Sequence, residues 1–187
     1  NIFPTDEHEV LKKIVDGFKH FSLANISCTN ALLTKTKETT AFLKDLNEQI
    51  SKDDTANLYV IHGTPRLDTV GIDSISYSAS FLELISENNF TCSLEGAFPY
   101  FEINDVIKSR IEKLGLKKVQ VVPLLLVSGN HYIEDMFEIK DDLSDKFESF
   151  IVPSLTKSEK FNLIELPMIQ NIIEKNIQNT FKMMGIS

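Results

Sequence analysis

The sequence predicts an α/β protein, with a parallel β-sheet flanked by helices on both faces, and three observations lead there. Short β-type apolar runs alternate with longer stretches of helical period along the whole chain. One run, residues 118–127, is apolar almost throughout, as expected of a strand buried on both faces. Three strand-type runs stop at polar, glycine-containing turns: His62-Gly63-Thr64, Glu95-Gly96 and Ser128-Gly129-Asn130-His131. In such sheets ligands bind beyond the carboxyl ends of the strands.

The elements follow in order. Val10, Leu11, Ile14, Val15 and Phe18 share one face of a first helix, preceded by Thr5, Asp6 and Glu7, which suit its N-terminus as cap and as charge. Residues 24–28 read as a short strand and Thr36–Ile50 as a second amphipathic helix. Residues 57–61 form a β-type run, 75–88 carry Tyr77, Phe81, Leu82 and Ile85 at helical spacing, and 90–94 form the next strand. A helix over 101–114 is closed by Gly115, a usual C-terminal residue. After the strand at 118–127, residues 133–150 are expected to be helical in part and 161–166 to form a last strand. Pro167, favoured at a first helical position, opens the final helix to about residue 184.

A chain of 187 residues suits one domain, or one domain with an attached piece of another. Hydrophobic residues at 42% and charged residues at 25% place it among globular proteins and exclude disordered and fibrous classes. The formal net charge of −8 argues against nucleic acid as a partner, because phosphate neutralisation needs a basic face. Cys28 and Cys92 are far apart and form no C-x-x-C pair, so neither a thiolate zinc site nor a disulfide framework is expected. No run approaches the ~20 apolar residues of a membrane span, and no signal-peptide pattern is visible. Cytoplasmic residence is the expectation, with export left open because the chain opens on Asn1 rather than Met.

The strand ends carry the functional signal. His62, Glu95 and His131 are expected at one rim of the sheet, whereas His8 and His20 fall on an exposed-looking helix. Two neutral imidazoles and a carboxylate suit a divalent transition metal. A single histidine after a strand is more often a plain turn residue, and the three together are what favour a metal site. Other chemistries fit less well. His62-Gly63-Thr64 lacks the lysine and glycine spacing of a phosphate loop, and no G-x-S-x-G elbow is present. Asp141, Asp142 and Asp145 read as a solvated acidic face rather than an ion site.

Those same motifs resemble a known family. A strand leading into His62-Gly63-Thr64, a second ending in Glu95-Gly96, and a third running from Pro123 through Ser128-Gly129-Asn130-His131 to Asp135-Met136 are similar to the CbiK-type cobaltochelatases. These are class II tetrapyrrole chelatases of ferrochelatase-like fold. The resemblance covers nearly the whole chain. It implies insertion of Co2+, with Fe2+ or Ni2+ as alternatives, into sirohydrochlorin or a related ring, with the ion as substrate and no organic cofactor. It implies metal ligation and catalysis by His62, Glu95 and His131, a histidine also accepting a pyrrole proton. Arg66 stands where the family commonly has a second histidine, and Asn130 where it has Asp, so both are candidate substrate contacts. The alternative is a non-catalytic metal- or tetrapyrrole-binding protein of the same fold. The resemblance further implies that residues 1–20 are the end of a largely absent N-terminal α/β domain and its connecting helix. Residues 21–187 would then be the C-terminal chelatase-like domain, and pairing of two chains could replace the missing half.

Overall fold

The structure, a computed structural model, describes residues 2–127 and 129–185, and of residues 130–133 the backbone alone. In chain order the elements are α1 (Asp6–Phe21), α2 (Thr36–Ile50), β1 (Thr55–Gly63), α3 (Ile72–Ile85), β2 (Asn89–Glu95), α4 (Tyr100–Lys113), β3 (Lys118–Leu124), α5 (Asn130–Ser144), β4 (Glu148–Ile151), a single 3-10 turn (Leu163–Glu165) and α6 (Pro167–Met183). Four strands form one sheet in the order β2-β1-β3-β4, and every pairing is parallel. The chain passes from β1 outward to β2, then crosses back over β1 to β3. A crevice therefore opens between the carboxyl ends of β1 and β3, the usual ligand position in such sheets.

Alternation along each strand divides the core into two layers. Tyr59 and Ile61 of β1 pack with Phe42, Leu46, Leu82 and Ile169 from α2, α3 and α6. Leu58 and Val60 point the other way, to Phe90, Ile107, Ile111 and Ile139, with α4 and α5 as cover. Helices thus lie on both faces, as the sequence predicts. Among the described residues no helix is long and apolar enough to cross a membrane.

Three expectations differ from what is seen. Residues 24–28 are not a strand: the segment pairs with neither edge of the sheet, β2 or β4, and stays irregular. Residues 161–166 form no strand either: Phe161, Leu163 and Leu166 are buried around a 3-10 turn, not alternately along an extended run. The stretch 133–150 is helical in part, as expected, in α5, and its end adds the strand β4, whose Ser149 and Phe150 pair with Val119 and Gln120 of β3. His8, expected on an exposed-looking helix, is only 3% exposed. The apolar stripe of α1 is present but faces outward, with Val10, Ile14, Phe18 and Phe21 all exposed. Periodicity identifies such a stripe without saying what covers it.

At the amino-terminal ends of the strands the sheet is joined by buried amides. Asn57 of β1 lies in register with Asn89 of β2 and Gln120 of β3. Its side-chain amide donates to Asn89 Oδ1 at 2.7 Å and to Ser51 at 3.1 Å, and its own oxygen accepts from Gln120 Nε2. Asn89 donates in turn to Asn47 Oδ1 and to the Leu82 carbonyl, both at 2.8 Å, and Gln120 donates to the Ile50 carbonyl at 2.8 Å. Each satisfied bond contributes about 1 kcal/mol, and an unsatisfied amide in this place would cost more.

Between α4 and α5, the ammonium of Lys108 lies 2.8 Å from Asp142 Oδ2, which also accepts from Tyr100 Oη at 2.7 Å and Asn104 Nδ2 at 3.1 Å. Burial alone would raise the Asp142 carboxyl, but the bonds from Lys108, Tyr100 and Asn104 hold it below its ordinary value. A depressed carboxylate contributes stability above its unfolded value of about 3.9, and that contribution fades as pH falls through the lower folded value. Lys108→Met is therefore expected to cost about 2 kcal/mol at neutral pH. The difference should shrink below about pH 4, as read from urea unfolding of both proteins at several pH values.

Candidate metal centre

His62 is the penultimate residue of β1 and Glu95 the last of β2, and the register pairs Gly63 with Glu95 on adjacent parallel strands. This neighbourhood brings His62 Nδ1 within 3.4 Å of Glu95 Oε1. Both side chains are partly open to solvent, 40% and 43% exposed, so an ion or ring can reach them without unfolding the rim.

Two glycines hold this arrangement. Gly63 has φ +86° and Gly96 φ +79°, conformations that L side chains rarely adopt. The two turns also cross in close contact. A Cβ on Gly63 would lie 1.9 Å from the Glu95 carbonyl oxygen, and one on Gly96 would lie 1.6 Å from that of Thr64. The loop after Glu95 is tight in its own right: Phe98 takes φ 64°, and the Ser93 backbone N–H donates to the Phe98 carbonyl at 2.9 Å. Glycine is thus required on both sides of the histidine–carboxylate pair by lack of space as well as by backbone conformation.

A cavity of about 410 Å3 opens beside His62. Its walls come from the carboxyl ends of β1 and β3, including Gly63 and Leu126, and from Ile2, Phe3 and Glu7 ahead of and within α1. It occupies the crevice between β1 and β3 that the strand order creates. The lining is mainly apolar with a few polar side chains, the usual make-up of a pocket for a small organic ligand. Glu7, whose carboxylate accepts from Thr5 Oγ1 at 2.5 Å, was not singled out by the sequence. The only local signal for it is the acidic first turn of α1.

His131 and Asn130 sit in the first turn of α5, directly after β3 and its connecting turn, but their side chains lie outside the described residues. Among the described residues, no three His, Cys, Asp or Glu side chains form a metal-holding group. Two of the three expected ligands, His62 and Glu95, are brought together. Arg66 points its guanidinium at Asp68, with Nε and Nη2 donating to the two carboxylate oxygens at 2.9 and 2.8 Å, and the pair is exposed. An incoming carboxylate would have to compete with Asp68 for that fork.

Two comparisons with known proteins bear on the family and the fold. The family model described as cobalt chelatase (CbiK) matches residues 1–182. Among solved structures, a chain from Marinobacter aquaeolei VT8 described as a cobalamin (vitamin B12) biosynthesis CbiX protein superposes with a TM-score of 0.50 at 18% sequence identity. The match covers 68% of the present chain and 98% of that one. No protein of curated function matches by sequence.

Proposed function

The chain belongs to the CbiK family of cobalt chelatases, and from that premise we propose that it inserts Co2+, with Fe2+ or Ni2+ as alternatives, into sirohydrochlorin or a closely related tetrapyrrole of cobalamin biosynthesis. The observation that carries the reading is the approach of His62 Nδ1 to Glu95 Oε1 at 3.4 Å, at the mouth of an apolar cavity. Insertion exchanges one divalent ion for two pyrrole N–H protons. The site must therefore hold the ion loosely and supply proton acceptors. His62 and Glu95 do both in this proposal, and His131, at the start of α5, completes the ligand set. Three protein donors leave coordination positions open to water and ring nitrogens. Glu7 shares the cavity with His62 and is a further acceptor for a pyrrole proton. The apolar wall suits one face of a macrocycle, whose carboxylate arms remain in water, with Arg66 and Asn130 as their proposed contacts.

Residues 1–20 belong, in the same reading, to the end of a preceding α/β domain, and 21–187 form the chelatase-like domain. The outward apolar stripe of α1 supports this, and Ile2 and Phe3, buried in the main core, tie the segment to the second unit as well. Cytoplasm is the proposed compartment, in keeping with the free thiols of Cys28 and Cys92.

Incubation with Co2+ and sirohydrochlorin, followed by absorption spectroscopy, tests the activity. Conversion of the free-ring spectrum to that of the metallated ring, faster than in a protein-free control, is the expected result. Tight binding of ion and ring without conversion would identify a carrier instead.

A further inference from the structure

On the other side of the first turn of α1 lies a second cavity, of about 340 Å3, lined by His8, Leu11, Cys28, Asn30, Leu126 and Asn176. Glu7 and His8 are consecutive, yet one lines the cavity of His62 and the other lines this one, and Leu126 lines both. His8 is 3% exposed, and neither of its ring nitrogens has a hydrogen-bond partner. A buried imidazole in that condition is unusual, because buried polar groups nearly always have a partner. Burial, reinforced by the nearby Lys12 charge, lowers the His8 pKa, so the ring is neutral at ordinary pH and keeps one nitrogen lone pair for donation. Cys28 lines the same cavity and carries a free, half-buried thiol, whose sulfur makes a weak contact with the Thr29 carbonyl at 3.4 Å. Asn176, largely buried, adds a carboxamide to the same wall.

We propose that His8 and Cys28 form a second binding site for a borderline-soft divalent transition metal, separate from the His62–Glu95 rim, with the Asn176 carboxamide oxygen as a further donor. Imidazole nitrogen with thiolate sulfur selects Co2+, Ni2+ or Zn2+ over Mg2+ or Ca2+, which prefer all-oxygen surroundings. On coordination the Cys28 thiol gives its proton to solvent and binds as thiolate. The ion fills the vacant acceptor direction of His8, so occupancy satisfies a group that the fold otherwise leaves unpartnered. Nothing in this assignment depends on the chelatase activity.

Anaerobic titration of the reduced protein with CoCl2, read by the near-ultraviolet thiolate-to-cobalt charge-transfer absorption, tests it. The measurement is made in a His62→Ala background to remove the rim site. The absorption is expected to appear in that background, to vanish in Cys28→Ser, to persist in Cys92→Ser, and to need at least about tenfold more cobalt in His8→Gln. Circular dichroism checks that each variant is folded. Absence of the band in the His62→Ala protein, or its survival in Cys28→Ser, overturns the proposal. An unchanged cobalt requirement in folded His8→Gln does the same, because a lone thiol would then account for the signal. Should His8→Gln fail to fold, the half-exposed Cys28→Ser still decides.

Discussion

Gly96→Ala is expected to lower stability by about 3 kcal/mol and to abolish metal binding at the His62–Glu95 rim in the fraction that stays folded. Two costs combine. Alanine is strained at φ +79°, and its methyl carbon would lie 1.6 Å from the Thr64 carbonyl oxygen, a backbone atom that cannot rotate away. The Gly63–Thr64 turn would have to withdraw, and His62 would withdraw with it. Gly115 supplies the internal comparison. It also has positive φ, at +72°, but a Cβ there meets nothing within 4 Å. Gly115→Ala should therefore show the conformational cost alone, roughly 1 kcal/mol, and leave metal affinity unchanged. Guanidinium unfolding and cobalt calorimetry on both variants separate the effects. Equal losses in the two proteins would mean that the crossing of the turns is unimportant.

His62→Ala should weaken Co2+ binding at the rim by more than about a hundredfold, since even removal of groups that only support a metal ligand commonly costs 10–100-fold. Stability should scarcely change, because the His62 side chain is 40% exposed and lies outside both apolar clusters. Glu95→Gln keeps the size of the side chain and removes its charge, so it is expected to weaken binding to a smaller extent. The readout is calorimetric titration with cobalt, paired with the initial rate of ring metallation. Retention of wild-type affinity in folded His62→Ala would remove the basis for the assignment at the rim.

How far the sequence could be read follows from which residues act through neighbours in the chain and which through neighbours in space. His62 and Glu95 were legible because parallel strands place every carboxyl end at one rim, so a polar residue just inside a glycine turn is located by the fold class alone. The helix Thr36–Ile50 was predicted to the residue, since its apolar period is uninterrupted and tertiary packing does not compete with it. Residues 148–151 were missed as a strand because Phe150 and Ile151 follow α5 after a short turn and contain too few positions to show alternation. Residues 24–28 and 161–166 were overread for the opposite reason: short β-type runs identify an extended tendency, not an available sheet edge. Glu7 and His8 could not have been separated by pattern. Adjacent positions on a helix face directions about 100° apart, and only the packing of α1 shows that each lines a different cavity.

The amides of Asn57, Asn89 and Gln120 lie at the end of the sheet remote from His62 and Glu95, roughly 17–20 Å away at the rise of a strand. A slip of one residue between β1 and either neighbour would strand those groups without partners, so alignment of the strands is decided at that end. Donors at the end that carries His62 and Glu95 can consequently be exchanged without renegotiating how the strands line up.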